Sequence, residues 1–458
     1  MINTSFEKIR NLSLFLFAAL ILVFLTGTHL SFSVFFLVFY SFGILTCLHF
    51  SDTKITEFKN LLFILICTSS TYFIYSLFLY IDYKNQGGFS TFPDQNYFYN
   101  VANSTKEFST LIDGLKSITS QRIHSESYAV HILSGTIAYF SEKHLSGNSV
   151  LLQSFVVACF ATFTNIFLYK TLRFYVDKKA ALTYTLLFAF LSVNFAYSPW
   201  LLRDIHVLFF YTLGFYLAHK RFRLTTLLLF LVLQLIVVNL RPVSGLAFTF
   251  FPLLYIYTKG SKHKYKYLIY VLLALFVLLF SIKFFSLINS ATNKLINYQT
   301  FTENTLSSSD GIGASLLKLP IGLKQIAIAT VSQIQPFPFW GGIESAETLF
   351  ECISTLIFGA AGVFWFYVIF VSVISFIKNK NNLPTILFLA LVFFCVFILG
   401  NTSNMHSRRI MAVYPIAYTF FVYSQIHYNT VSSKKKTMKL FAVFYVFLLV
   451  LYIAFKYL

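Results

Sequence analysis

The run Leu224-Thr225-Thr226-Leu227-Leu228-Leu229-Phe230-Leu231-Val232-Leu233-Gln234-Leu235-Ile236-Val237-Val238-Asn239-Leu240 is entered through Lys220-Arg221-Phe222-Arg223 and left through Arg241-Pro242. An apolar stretch of this kind with cations at its ends is what a bilayer core of ~30 Å demands of a helix, roughly 20 residues long. The pattern repeats in both directions along the chain. Similar runs fall near 12–28, 30–50, 60–81, 149–169, 180–197, 203–219, 243–258, 265–287, 347–377, 383–400, 409–427 and 440–457. The expectation is an all-α polytopic membrane protein with about 13 transmembrane helices, give or take about one.

Composition points the same way. Of 458 residues, 57% are hydrophobic and 11% charged, with 58 Phe and 29 Tyr, and the mean hydropathy is +0.72. A soluble domain carries roughly a quarter charged residues. The net charge of +19 would suggest nucleic acid in a soluble chain; here it suggests loops facing anionic membrane lipid, with no nucleic-acid partner. Cys47, Cys67, Cys159, Cys352 and Cys395 are scattered singly through apolar runs, which favours small apolar fillers over disulfides or zinc. Lys8 and Arg10 precede the first run as in a signal peptide, yet no small-x-small cleavage site follows and a second span begins at once. That run is read as an anchor.

Sorting charges between alternate loops tests topology, because Lys and Arg are retained on the cytoplasmic side. One set of segments, 1–11, 51–59, 170–179, 219–223, 259–266, 378–382 and 428–439, holds 21 Lys/Arg against the four acids Glu7, Asp52, Glu57 and Asp177. The remainder holds 14 Lys/Arg and 12 acids. A cytoplasmic N-terminus follows, with two long loops, 82–148 and 288–346, on the outer face. Connectors of that length imply function or disorder. In the first, Phe108–Ile118 and Tyr128–Phe140 have the mixed patterning of helices lying on a membrane surface. In the second, Gln335-Pro336-Phe337-Pro338-Phe339-Trp340-Gly341-Gly342 reads as a rigid aromatic wedge. The chain shows no internal repeat of the kind many transporters carry.

Several chemistries lose their basis at once. The chain has no phosphate-binding Gly-x-x-x-x-Gly-Lys-Ser/Thr loop, no Asp-x-Asp, no paired His at metal spacing and no Gly-x-Ser-x-Gly. What stands out is arginine. Arg203, Arg241, Arg408 and Arg409 lie at the outer mouths of spans, against the positive-inside bias. Guanidinium binds a phosphate oxygen pair in a flat bidentate fork, so these four are candidates for a lipid-linked diphosphate; snorkelling, or pairing with a neighbouring acid, is the plainer alternative. On a helix, Arg203 shares a face with His206, and His406 with Arg409. Asp94, within Pro93-Asp94-Gln95-Asn96-Tyr97, is a candidate general base toward a hydroxyl, or simply a helix N-cap. Asp204 and His406 are the other candidates for assisting an acceptor. Glu344 and Glu347 read as a polar first helical turn rather than a catalytic pair.

Taken in order, Asp94-x-x-Tyr97-x-x-x-x-Ala102, Ser198-Pro199-x-Leu201-Leu202-Arg203-Asp204, Leu240-Arg241-Pro242, Pro336-Phe337-Pro338-Phe339-Trp340, and Arg408-Arg409 with Pro415 resemble the Wzy-type polymerases of O-antigen and capsule. Arg203 and Gly214 also match an Arg-x-ten-Gly spacing of some such polymerases. The resemblance implies transfer of a growing glycan from one undecaprenyl diphosphate to the next lipid-linked repeat unit at the outer face of the bacterial inner membrane. It further implies a chain-length regulator as partner and no cofactor. The chain also resembles GT-C-type transferases, which move a single sugar from a polyprenyl phosphate and often use a divalent metal ion. It departs from them in lacking an Asp-Glu or Glu-x-Asp pair in its first long outer loop. A lipid-linked glycan transporter, the third reading, should bury charges near mid-span, where Gln234 and Lys283 come nearest.

Overall fold

The computed structural model describes residues 30–51, 55–89, 92, 94–120, 127–259, 267, 320–334, 337–340, 343, 346–379, 382–400, 407–428 and 431–457. Of these, 86% are helical and none is in a strand. Five helices are long and apolar enough to cross a membrane: α1 (Leu30–Phe50), α2 (Ile55–Gln86), α6 (Val150–Leu172), α14 (Leu349–Asn379) and the stretch Ser432–Ala454 of α18 (Val431–Tyr457). The protein is an all-α membrane protein. The expected run 12–28, the run 265–287 apart from Tyr267, residues 288–319 of the second long loop, Lys283, Glu344 and His406 lie outside the described residues.

The chain divides into two compact units. The first comprises residues up to Arg173 together with Asp177–Phe209 and Ser345–Ser354. Its core is a Phe cluster where α1, α2 and α6 meet: Phe32 lies 4.9 Å from both Phe73 and Phe155, ring centre to ring centre. At one end of α6, Ser149 caps the helix by accepting the Leu152 N–H at 3.1 Å. Toward the other end, Lys170 donates to Glu57 at 2.6 Å and to the Phe50 carbonyl at 2.8 Å, with both charged side chains buried. Glu57 and Lys170, which the charge count assigns to connecting loops, therefore belong to α2 and α6.

The run 180–197 is not one straight helix. After α7 (Lys178–Leu191) the backbone at Ser192 turns extended, and the Ser192 hydroxyl accepts the Asn194 N–H, starting the short α8 (Val193–Ala196). Beside that break Asn165 and Asn194 both donate to the Tyr72 hydroxyl, which itself donates to the Ala189 carbonyl at 2.7 Å. Buried amides and a phenol thus share hydrogen bonds where the helix ladder is interrupted, although Asn194 Oδ1 has no partner among the described residues. The first long loop is largely helical: α3 (Asp94–Ser104), a single 3₁₀ turn (Thr105–Glu107), α4 (Leu111–Ser120) and α5 (Tyr128–His144).

The second unit contains Phe174–Val176, Phe210–Glu344 and Thr355–Leu458. Its helices include most of α9 (Asp204–His219), α10 (Leu224–Leu240), α11 (Pro242–Phe248), α12 (Phe250–Lys259), α13 (Ile321–Ser332), α15 (Thr385–Gly400), α16 (Ser407–Ile410) and α17 (Tyr414–His427). Pro242 has no N–H to continue α10, so α11 starts there and packs back along α10. Gln234 donates to the Gly245 carbonyl within this hairpin, which gives the mid-span amide a structural partner. A β-carbon at Gly214 would come within 2.8 Å of the Phe248 ring, so the glycine of the Arg-x-ten-Gly spacing lets an aromatic side chain seat against α9. Part of the aromatic wedge packs within the protein: Phe337 lies edge-on against Tyr445 and Tyr452, and the Phe339 carbonyl occupies the space a side chain at Gly359 would need, while the Phe339 side chain is exposed. At the start of α14, Thr348 caps the helix by accepting the Glu351 N–H at 3.1 Å, and the Glu351 carboxylate accepts the Glu347 N–H at 2.8 Å.

The hairpin provides a direct test of packing. A β-carbon at Gly245 would collide with the Val238 backbone, which cannot rotate away. Gly245→Ala should therefore lower stability by at least about 2 kcal/mol, the upper range of ordinary overpacking. A thermal unfolding midpoint equal to the parent's in detergent would show that α10 and α11 are not packed this way.

Candidate functional site

The Ser198-to-Asp204 segment forms a sharp turn because proline stops the helix and tryptophan anchors the residues after it. Pro199 cannot donate a backbone hydrogen bond. The Trp200 indole N–H donates to the Ala196 carbonyl at 2.7 Å, folding the side chain back over the preceding helix. Ser154 of α6 donates to the Pro199 carbonyl at 2.6 Å, and the Gln95 side-chain oxygen of α3 accepts the Leu201 N–H at 3.0 Å. These bonds supply partners for turn backbone that secondary structure leaves open. The turn ends at Arg203, whose Nη1 donates to the Ser127 hydroxyl at 2.6 Å just before α5. α9 starts at the next residue, Asp204, so the guanidinium stands beside the positive end of a 16-residue helix.

Helices α3 and α5 form the other wall. His131 is buried, stacked on Phe98 at 5.2 Å and edge-on to Tyr97 at 5.6 Å. Thr105 donates to the Gly135 carbonyl at 2.9 Å, drawing α5 close. Burial pushes the phenols of Tyr97 and Tyr99 upward, Asn103 opposing the shift at Tyr99, so both remain hydrogen-bond donors at neutral pH. Between these helices, α6 and the turn lies a small, partly open crevice with room for about one water. Phe98, Tyr99, Ser134, Gln153, Leu202 and His206 are among its lining residues.

The expected site residues divide between the units. Arg203, Asp204 and His206 belong to the first unit with Asp94, and the Gln95 bond brings the start of α3 to the arginine turn. Asp94 is the exposed first residue of α3, whereas Asp204 is buried. The Arg203 guanidinium engages Ser127, while His206 packs against Phe160 with ring centres 4.4 Å apart. Arg241, Arg408 and Arg409 belong to the second unit. Arg241 caps α11 with extended backbone and acts electrostatically on Tyr211; Arg408 and Arg409 are half-buried in α16. Arg203 and Arg241 each stand just before a helix start, whereas Arg408 and Arg409 lie within the four-residue α16.

Gln95, Ser127, His131 and Gln153 have no motif of their own. Gln95 adjoins Asp94, and His131 interrupts the apolar pattern of Tyr128–Phe140; those are the only sequence traces they leave. Among the described residues no group of three His, Cys, Asp or Glu side chains is placed to hold a metal ion. No protein family, curated protein or solved structure matches this chain.

Proposed function

We propose that this protein polymerises undecaprenyl-diphosphate-linked oligosaccharide repeat units into a surface polysaccharide at the outer face of the bacterial inner membrane. The observation that carries the reading is Arg203, held by Ser127 at the head of α9. In such a transfer the bond from the anomeric carbon to diphosphate breaks as an acceptor hydroxyl attacks. The departing diphosphate gains negative charge, which a preorganised guanidinium and a helix N-terminus stabilise. Arg241, Arg408 and Arg409 are likewise assigned to lipid diphosphate. Asp94 and Asp204, with His406, are the candidates for receiving the acceptor's proton. Partners of the enzyme on this reading are the lipid-linked glycan, membrane lipid and a chain-length regulator.

Deletion is the decisive experiment. Without the polymerase, surface lipid should carry a single complete repeat unit, because synthesis and flipping of that unit precede polymerisation. An undisturbed ladder of chain lengths would overturn the reading, and long chains lacking one branch sugar would replace it with a single-sugar transferase.

The same reading holds about 13 spans, a cytoplasmic N-terminus and both long loops outside. In a cysteine-free background, a single cysteine replacing Asn103 should react with an impermeant maleimide in intact cells, and one replacing Lys262 should not. Outside labelling at Lys262→Cys would reverse the topology.

A further inference from the structure

Helix α18 buries one face and leaves the opposite one open. Phe441 packs against Phe370 at 5.6 Å and Tyr445 against Phe366 at 6.2 Å, ring centre to ring centre, so α18 lies antiparallel to α14 within the second unit. Lys436, Lys439, Val443, Val446, Val450 and Ile453 follow one another at spacings of three and four, which puts them on one stripe. That stripe points away from Phe441 and Tyr445, and all six of its residues are exposed. From Lys439 to Val450 it runs about 16 Å, close to half of a ~30 Å hydrocarbon core. Lys378 of α14 is exposed too, and it lies about as far beyond Phe370 as Lys434 lies before Phe441, so the two helices bring their lysines to one level. After Glu351 the chain has nine Lys/Arg and no acidic residue, so that stretch offers the cluster no carboxylate.

Retaining a span end on one side of the membrane asks for basic residues nearby, in any arrangement. It does not ask that they head an open apolar stripe one leaflet long. A second copy of the chain fits that stripe poorly. Two copies share one orientation in a membrane, so across a twofold interface each Lys436–Lys439 pair would meet its own counterpart at the same height, and like charges in contact repel. A lipid with a negative headgroup reverses that sign and keeps the apolar contact. We propose that the open stripe of α18 is a binding site for an anionic phospholipid, its phosphate on Lys436 and Lys439 and an acyl chain along Val443, Val446 and Val450. Lys378 and Lys434 add to the attraction from the same level. The site is independent of the polymerase reading and of which side of the membrane the lysines occupy.

The test is native mass spectrometry of the full chain in detergent, titrated with phosphatidylglycerol and with phosphatidylcholine of identical acyl chains. The first phosphatidylglycerol should bind about tenfold more tightly than the first phosphatidylcholine. Lys436→Gln/Lys439→Gln should remove most of that preference and leave phosphatidylcholine binding unchanged. Arg221→Gln/Arg223→Gln, which deletes the same charge from another exposed place in the second unit, should keep it. Raising ammonium acetate from about 0.1 to about 1 M cuts the screening length from ~10 to ~3 Å and should erase the preference in the parent itself, a measurement that stands even where the lysine variant does not fold. Equal affinity of the parent for the two lipids, a preference that salt leaves intact, or an equal loss from the arginine variant would overturn the site. A two-chain species that Val446→Trp dissolves would give the stripe to a second copy and overturn it as well.

Discussion

Arg203→Lys is expected to remain in the membrane at the parent's level while polymer synthesis falls about 10- to 100-fold. The factor corresponds to roughly 1.5–3 kcal/mol for a hydrogen bond to a charged group. Lysine keeps the charge but presents a point ammonium where the planar fork was. Because the Ser127 hydroxyl sets the direction of Arg203 from 2.6 Å, Ser127→Ala should lower synthesis in the same direction by a smaller factor. Chain-length ladders on gels, normalised to protein in the membrane fraction, give the measurement. An arginine that merely reaches for the membrane surface tolerates lysine, so parental ladders from Arg203→Lys would assign it to that role. The same exchange at Arg241 and at Arg409 asks whether those arginines share the task.

The second large effect concerns stability. Lys170→Met would leave the Glu57 carboxylate buried without its partner at 2.6 Å. Breaking one side of such a pair costs about 3–5 kcal/mol, whereas replacing both sides is often close to neutral. The single variant should therefore unfold at a markedly lower temperature in detergent, and adding Glu57→Gln should recover most of the loss. If single and double variants unfold at the same temperature, the two residues are not energetically coupled and the predicted penalty is absent.

The parts of the fold that were legible in the sequence are those the bilayer dictates by length. Runs 30–50, 60–81, 149–169 and 347–377 correspond to α1, α2, α6 and α14, since a continuous apolar helix has no cheaper way to satisfy its backbone in lipid. Run 180–197 shows the limit of that rule. Its hydropathy is unbroken at Ser192, yet one hydroxyl that captures a nearby N–H is enough to interrupt the helix, and hydropathy averages do not register a hydroxyl. Glu57 and Lys170 were legible as charges and not as a pair, because 113 residues separate them. The site divides in the same way. Arg203 announces itself by defying the charge bias; Gln95, Ser127 and Gln153 acquire meaning only from partners distant along the chain.

The length of α9 bears on which membrane the protein works in. Its 16 residues span about 24 Å at the rise of an α-helix, some 6 Å less than a ~30 Å hydrocarbon core. With Lys220 and Arg221 at one surface in the proposed topology, the opposite end, where Arg203 stands, falls short of the other surface by roughly that difference. No residue of α9 is exposed, so protein rather than lipid surrounds it, and a carrier headgroup reaches Arg203 only by descending between helices. Turnover should accordingly track bilayer thickness: faster in vesicles of shorter-chain lipid, where a carrier headgroup has less far to descend, and slower as the acyl chains lengthen.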